Sequence, residues 1–221
     1  MDQLSLMKHR HSVRQYTDRA LEPAAVEALQ TEIAAVNAES RLRLRLITEE
    51  PTAFQGPLAH YGKFRGVKNY LILAGPKVPD LEEKIGCCGQ RLVLKAAELG
   101  LDSCWVALTF RKRAVRKASD GKLVCAVALG YGENHGIPHK SKPIDQLCQA
   151  EGEMPSWFLR GMEGAALAPT AMNQQKFRIH LSADGGVRVE NLGGAYSRVD
   201  LGIVKYQFKQ AAGAENFHWA D

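Results

Sequence analysis

The chain of 221 residues lacks the patterns that mark membrane and secreted proteins. It contains no uninterrupted apolar run of about 18 residues, the length that a membrane-spanning helix needs. Its first residues, MDQLSLMKHRHSVRQY, lack the apolar centre of a signal peptide. We therefore expect a protein without a membrane span that is located in the cytoplasm.

The cysteines lack the number and spacing of a disulfide framework or a metal site. There are five of them, an odd number, and no two form a CxxC pair. A zinc ribbon or a ferredoxin-type iron–sulfur module is therefore not expected. We predict reduced thiols and no bound metal for the five positions, which are Cys87, Cys88, Cys104, Cys125 and Cys148.

Several catalytic and nucleotide-binding motifs are also missing. The sequence has no GxxxxGK[ST], no HExxH and no GxSxG. Gly130-Tyr131-Gly132 follows an apolar run, but it lacks the third glycine of GxGxxG and Pro138 follows instead of a helix. A Rossmann dinucleotide site is thus excluded, and the modest net charge of +5 fits an anionic small ligand as well as a polyanion.

Hydrophobic periodicity predicts a mixture of helices and strands without a regular alternation, which indicates an α+β fold. Asp184-Gly185-Gly186 marks the turn of a hairpin. Residues 54–66 are expected to form a loop, and residues 133–156 an irregular connection between two halves. Helices are predicted at 22–38, 79–100, 111–118, 156–167 and 196–212, and strands at 41–47, 68–75, 102–110, 122–132 and twice within 176–192.

The segment Arg10-His11-Ser12-Val13-Arg14 is the first candidate for chemistry. Two guanidinium groups and a hydroxyl within five residues provide bidentate and single donors that match a phosphate. A basic helix end with its charges in water explains the same residues equally simply. The spacing alone leaves both interpretations open.

Two further segments could contact a ligand. Ala168–Gln175 (APTAMNQQ) combines a proline, small residues and several amides, and such a loop can contact the edge of a heteroaromatic ring or merely join a helix to a strand. Leu99–Val106 (LGLDSCWV) passes from a helix end into a strand, where Trp105 could be a core residue or a ligand contact.

Together and in this order, these segments resemble the nitroreductase family of FMN flavoproteins. RHSVRQY (10–16) resembles the phosphate-binding motif of that family, and KAAELGLDSCWVAL (95–108) resembles its helix-to-strand segment beside the flavin. VCAVALGYG (124–132) with the basic residues after it resembles the closing strand and tail. APTAMNQQKF (168–177) resembles the Pro-Ser-x-x-Asn-x-Gln-Pro loop at the flavin ring.

The resemblance implies a mixed sheet flanked by helices and a set of FMN-binding residues. Arg10, Ser12 and Arg14 would hold the phosphate and ribityl chain, with Lys140 or Lys142 as a further cation. Pro169, Thr170, Ala171 and Asn173 would border the isoalloxazine ring, and backbone groups of Cys104, Trp105 and Val106 would lie near its reactive edge. His11 is a ribityl contact or a structural residue, and no side chain stands out as a catalytic acid or base.

One departure from the family pattern suggests an internal duplication. In the family the ring loop follows the phosphate motif closely, whereas here it comes much later, and Ala35–Ser40 stands at the early position. Gly86, Ala96-Ala97 and Trp105 are echoed by Gly202, Ala211-Ala212 and Trp219. Because typical members are homodimers with flavin at the subunit interface, we expect a monomeric pseudo-dimer with a first half at 1–150 and a degenerate second half at 151–221.

The implied activity is electron transfer from NAD(P)H through FMN to a nitroaromatic, quinone or similar small acceptor. An FMN-binding sensor or electron-transfer protein without nicotinamide turnover is the alternative. Nucleic-acid binding through RLRLRLI (41–47) and RKRAVRK (111–117) is not expected, because no aromatic residues interleave with the basic stripe of 41–47 to stack bases.

Overall fold

The computed structural model describes residues 2–220. The chain forms two compact units. The first unit contains His9–Leu81 and Arg91–Pro138, and the second contains residues 2–8, 82–90 and 139–220. The boundary near residue 150 that the sequence suggested separates the two halves of the expected duplication, whereas these units are defined by their compactness. The boundary near residue 150 stays a prediction.

Helices and strands alternate irregularly over residues 2–220, so the predicted α+β class is confirmed. The helices are α1 (Gln3–His9), α2 (Pro23–Ser40), α3 (Pro57–Tyr61), α4 (Leu81–Glu98), α5 (Lys112–Ala118), α6 (Ile144–Leu147), α7 (Ser156–Ala166) and α8 (Ser197–Ala212). The strands are β1 (Arg45–Ile47), β2 (Asn69–Gly75), β3 (Asp102–Val106), β4 (Lys122–Gly130), β5 (Cys148–Ala150), β6 (Phe177–Leu181), β7 (Gly186–Asn191) and β8 (His218–Trp219).

The first unit is built on an antiparallel sheet of four strands in the order β1-β2-β4-β3. All seven residues of β2 are buried, as its continuous apolar run predicts. Against this sheet lies a core that includes Phe54, Tyr70 and Phe110. The predicted contact segment Cys104–Val106 belongs to β3, which is an edge strand and pairs with only one other strand of this sheet, β4.

The second unit contains a mixed sheet in the order β5-β6-β7-β8. β6 and β7 form the predicted antiparallel hairpin, while β5 pairs with β6 and β8 with β7 in parallel. α7 and α8 pack closely, because a Cβ atom at Gly161 would lie only 2.6 Å from the ring of Phe208. Small residues at this crossing therefore determine how near the two helices can come.

The short elements differ from the sequence prediction. Residues 41–47 form a strand only over Arg45–Ile47, although Leu42 and Leu44 are buried and the arginines are exposed, as the alternation predicts. The predicted loop 54–66 contains α3, and the predicted irregular segment contains α6 and β5. Elements of three to five residues are too short to show a periodicity, so tertiary packing decides them.

Among the helices of residues 2–220, none combines the length and the apolar character that a membrane crossing requires.

Candidate functional site

The segment that follows α1 is held in place along the edge of the first sheet. The backbone N–H of Val13 donates to the Ser103 carbonyl oxygen at 3.0 Å. The buried Tyr16 hydroxyl lies 2.7 Å from the Val13 carbonyl oxygen and 3.2 Å from that of Ala128. This edge strand and one tyrosine therefore fix the backbone that carries the predicted phosphate residues.

A second contact holds the other end of the same segment. The backbone N–H of Arg65 donates to the Arg14 carbonyl oxygen, and the N–H of Tyr16 donates back to Arg65, each at 3.0 Å. Gly66 follows with a φ of 70°, and a Cβ atom there would lie 2.1 Å from the Tyr16 carbonyl oxygen. Only glycine fits this approach, since both the backbone angle and the space exclude a side chain.

Arg10 is the most unusual residue of this segment. Its side chain is buried, with 6% exposed, and its Nε has no hydrogen-bond partner among the described residues. Burial lowers the pKa of the guanidinium to about 10. A buried cation with an unused donor is costly unless an anion or acceptor binds to it.

Arg10, Ser12 and Arg14 come together around the Cys104 thiol. Burial raises the pKa of this thiol, whereas the charges of Arg14 and Arg10 and a hydrogen bond with Ser12 act in the opposite direction. Cys104 is only 2% exposed, so it is a neutral core thiol and not a nucleophile. The three predicted phosphate residues thus form one cluster, which we call the cationic cluster.

The remaining predicted contacts of the first unit have mixed environments. His11 is the neighbour in sequence of Arg10 and Ser12. Its Nδ1 lies 3.1 Å from the backbone carbonyl oxygen of His135, which is a hydrogen-bond acceptor. Val106 is buried in the core together with Cys104. Trp105 is half-buried and alternates to the other face of β3.

In the second unit, the predicted ring loop has a strained backbone. Ala171–Asn173 forms a short 3-10 turn after Thr170. Met172, Asn173 and Gln175 have φ values of 52°, 53° and 44°, in the left-handed region that non-glycine residues avoid. Each such residue costs about 1–3 kcal/mol, so the surrounding contacts must hold the loop in this form.

One set of contacts comes from the segment 139–142. The Gln175 side chain accepts the N–H of Lys142 at 2.8 Å and donates to the Lys140 carbonyl oxygen at 2.9 Å and to Asn173 Oδ1 at 3.0 Å. The Lys142 ammonium donates to the carbonyl oxygens of Gln174 and Gln175 at 3.1 and 3.0 Å. The predicted Lys140 and Lys142 therefore adjoin the ring loop, and a phosphate role for either stays a prediction.

Asp200, in the first turn of α8, supplies the other contacts. Its carboxylate accepts the Ala171 N–H at 2.9 and 3.1 Å and the Gln174 side-chain amide at 2.7 Å. The side chain is 8% exposed, and burial raises its pKa to about 6, against the lowering effect of the two hydrogen-bond donors. Sequence reasoning missed this residue because an acidic side chain in a first helical turn is ordinary.

The structure thus places the predicted residues in two clusters, one in each unit. The first unit brings together Arg10, Ser12, Arg14 and Cys104, and the second joins Lys140, Lys142, Thr170, Ala171 and Asn173 in one hydrogen-bonded network. Pro169 lies half-buried at the start of that loop. Besides Asp200, the sequence motifs did not reveal the structural roles of Tyr16 and Gln175, whose side chains hold the backbones of the two clusters.

Comparison with known proteins identifies a family for this fold. A family model described as "Putative TM nitroreductase" matches residues 3–212. A comparison with curated proteins finds no match.

Solved structures show the same fold at low sequence identity. A "putative nitroreductase" from Thermotoga maritima has a TM-score of 0.68 and 19% identity, over 96% of this chain and 83% of that one. A "putative nitroreductase in complex with FMN" from Desulfovibrio desulfuricans has a TM-score of 0.53 and 20% identity, over 69% and 98%.

A third structure, a "putative NADH dehydrogenase/NAD(P)H nitroreductase" from Parabacteroides distasonis, has a TM-score of 0.52 and 21% identity, over 66% of this chain and 95% of that one. The family model spans nearly the whole sequence, which confirms the resemblance inferred from the motifs. The chain therefore belongs to the nitroreductase family.

Proposed function

We propose that this chain binds FMN and passes electrons from NAD(P)H to a nitroaromatic, quinone or similar small acceptor. Its membership of the nitroreductase family supports an oxidoreductase. The observation that carries the cofactor assignment is the buried Arg10 side chain, whose Nε lacks a partner among the described residues. FMN brings a phosphate dianion to such a donor, and the isoalloxazine supplies the redox chemistry when bound.

In this proposal the cationic cluster binds the phosphate. Arg10 provides the buried donor, Arg14 an exposed guanidinium and Ser12 a hydroxyl. The segment needs little reordering on binding, because Tyr16 and Ser103 already hold its backbone. Such preorganisation increases affinity, since less conformational entropy is lost.

The ring loop is proposed to contact the isoalloxazine. The side chains of Gln175 and Asp200 fix the conformation of this loop. A loop with a fixed conformation can orient a flat ring that lies against it. Pro169, Thr170 and Asn173 are the proposed contacts, on the strength of the family motif. The backbone near Trp105 is proposed to lie at the reactive edge of the ring.

Replacement of Arg14 by alanine tests the phosphate assignment. Loss of one charge-assisted contact should weaken FMN binding by about 1.5–3 kcal/mol, or roughly 10- to 150-fold. Arg111→Ala is the matched control, because Arg111 is an exposed arginine of the same unit outside the cationic cluster. Titration of the apoprotein with FMN, followed by flavin fluorescence, measures both variants. Equal affinities in the two variants would show that the phosphate assignment is wrong.

Anaerobic reduction separates the proposed oxidoreductase from a flavin-binding sensor. Addition of NADH or NADPH without air should bleach the flavin absorbance of the purified protein, and a nitroaromatic or quinone should restore it. A flavin that stays oxidised with both nicotinamides, but is reduced by dithionite, would support the sensor instead.

We also propose that the chain is a monomeric pseudo-dimer whose second half is a reduced copy of the first. The element order supports this: α2-β1-α3-β2-α4-β3 is followed later by α7-β6-β7-α8-β8, which differs by the absence of a short helix such as α3 between its first two strands. The corresponding strand pairs β1–β2 and β6–β7 are both antiparallel. The match with the Desulfovibrio desulfuricans structure covers 98% of that chain but only 69% of this one. This difference agrees with a chain that contains more than one copy of the family fold.

The contact between Gly86 and Gly202, the pair matched by the sequence echo, gives further support. A Cβ atom at Gly86 would lie 2.0 Å from the Val199 carbonyl oxygen, and one at Gly202 would lie 2.0 Å from that of Glu83. Each glycine therefore meets the residue three positions before the other. Reciprocal contacts of this kind are the mark of a two-fold interface.

Solution mass and flavin content test the pseudo-dimer. Light scattering should give a mass near 24.3 kDa, and the saturated protein should bind one FMN per chain. A stable dimer that loses its flavin on dilution to monomers would contradict the proposal.

A further inference from the structure

The ring loop has a strained backbone that contacts from outside the turn must hold. Three of the four residues from 172 to 175 have left-handed φ values, and none of the three is glycine. A turn of this kind relaxes unless hydrogen bonds from outside it oppose relaxation. From α8, the group that does so is the Asp200 carboxylate, which accepts the N–H of Ala171 at the start of the turn and the side chain of Gln174 at its end.

The geometry requires a carboxylate at this position and not merely a polar side chain. The Gln174 amide nitrogen donates both to the Ala195 carbonyl oxygen at 2.8 Å and to Asp200 Oδ2 at 2.7 Å. The Ala171 N–H points at both oxygens of Asp200, at 2.9 and 3.1 Å. The Ala171 N–H and the Gln174 amide therefore both donate to the side chain of residue 200. An ionised carboxylate suits this position because it has acceptors only.

An asparagine at position 200 cannot reproduce this arrangement. One of its two terminal atoms would be an NH₂ group that faces either the Gln174 amide or the Ala171 N–H. Gln174 cannot turn its own amide to compensate, because its oxygen would then face the Ala195 carbonyl oxygen. The substitution consequently creates a donor–donor contact with almost no change in volume.

We propose that Asp200 is a positioning residue of the flavin site: its carboxylate holds the Ala171–Asn173 turn in the conformation that contacts the isoalloxazine. This inference rests on the proposed function, since it assigns a task to the ring loop of that site. The residue does not itself touch flavin or substrate. Its effect passes through the backbone of Ala171 and the side chain of Gln174.

The burial of the carboxylate agrees with such a role. Burial raises the pKa of Asp200 to about 6, so ionisation at neutral pH costs folding stability. The two hydrogen-bond donors offset only part of the desolvation of this carboxylate. Asp200 and the strained loop are thus two costly features that contact each other directly.

The test compares Asp200→Asn with Asp184→Asn. Asp184 is an acceptor in the hairpin turn of the same unit, where it binds Ser182 and the Gly186 N–H, so the control makes the same chemical change away from the ring loop. We expect Asp200→Asn to weaken FMN binding about tenfold or more, and to change the visible circular dichroism and the reduction potential of the bound flavin. Asp184→Asn should leave all three as in the parent protein.

A double variant keeps the test informative if Asp200→Asn folds poorly. Gln174→Met removes the opposing donor, so the Asp200→Asn change should cost less affinity in the Gln174→Met background than in the parent. Unchanged flavin affinity, circular dichroism and potential in Asp200→Asn would overturn the positioning role, as would strict additivity of the two changes. If the parent protein takes up no FMN at all, the proposed function itself is wrong, which is a different result.

Discussion

The reciprocal glycine contact between α4 and α8 can be tested by adding a single methyl group. In Gly202→Ala the new Cβ atom would lie 2.0 Å from the Glu83 carbonyl oxygen, whereas ordinary contacts are 3.4 Å or longer. The helices must therefore separate by more than 1 Å, and overpacking of this severity costs about 3 kcal/mol. Because alanine has a higher helix propensity than glycine, the substitution also stabilises the helix by about 1 kcal/mol, so the net loss in the free energy of unfolding is about 2 kcal/mol.

Thermal and urea unfolding at one protein concentration measure this loss. For a chain of this size, about 2 kcal/mol lowers Tm by roughly 4–8 °C. Gln210→Ala, a half-buried change on the same helix, is the control and should stay within about 0.5 kcal/mol of the parent protein. A Gly202→Ala variant as stable as the parent would show that the backbones of α4 and α8 do not meet in this way.

A double-variant cycle examines the symmetry of the contact. Gly86→Ala alone should destabilise the protein about as much as Gly202→Ala, because its Cβ atom would meet the Val199 carbonyl oxygen at the same 2.0 Å. Once one methyl group has separated the helices, the second costs less, so the double variant should lose less than the two single losses combined. Two losses of very different size, or full additivity, would refute the reciprocal crossing.

Three further predictions concern the residues that hold the two clusters. Tyr16→Phe removes a buried hydroxyl from two carbonyl oxygens and should lower the free energy of unfolding by about 1–2 kcal/mol, which urea titration measures. Met172→Gly should stabilise the protein by about 0.5–1 kcal/mol in the same assay, because the side chain is 85% exposed and glycine accepts its φ of 52°. Burial raises the pKa of Asp200 from its ordinary 3.8 to about 6 in the folded protein, so the folded state binds the proton more tightly and stability falls as pH rises from about 4 to about 6. Unfolding of the parent and of Asp200→Asn from pH 4 to 7 should therefore diverge, with the parent losing up to about 3 kcal/mol relative to the variant, and parallel curves would contradict the raised pKa.

The sequence was sufficient for the features that depend on local chemistry. Apolar periodicity located α2, α4, α7 and α8, because a long amphipathic helix repeats its pattern several times. The motif RHSVRQY located the cationic cluster, since arginine and serine donors near one another in sequence suit a phosphate wherever the chain folds.

The sequence did not predict the short elements or the long-range polar contacts. α3, α6, β5 and β8 are too short to carry a periodicity, and their formation depends on neighbours distant in the chain. The same holds for Gln175, because two of the three hydrogen-bond partners of its side chain, Lys140 and Lys142, depend on the path of residues 139–142. No sequence pattern states which backbone a buried amide will meet.

The sequence by itself determined the α+β class, the nitroreductase resemblance and the residue types of both clusters, because these follow from composition, period and motif. Only the tertiary structure showed that Arg10 is buried with an unused donor and that Asp200 holds a strained turn. Burial and hydrogen-bond partnership are properties of the packed chain, since each depends on groups that packing, and not sequence proximity, brings together.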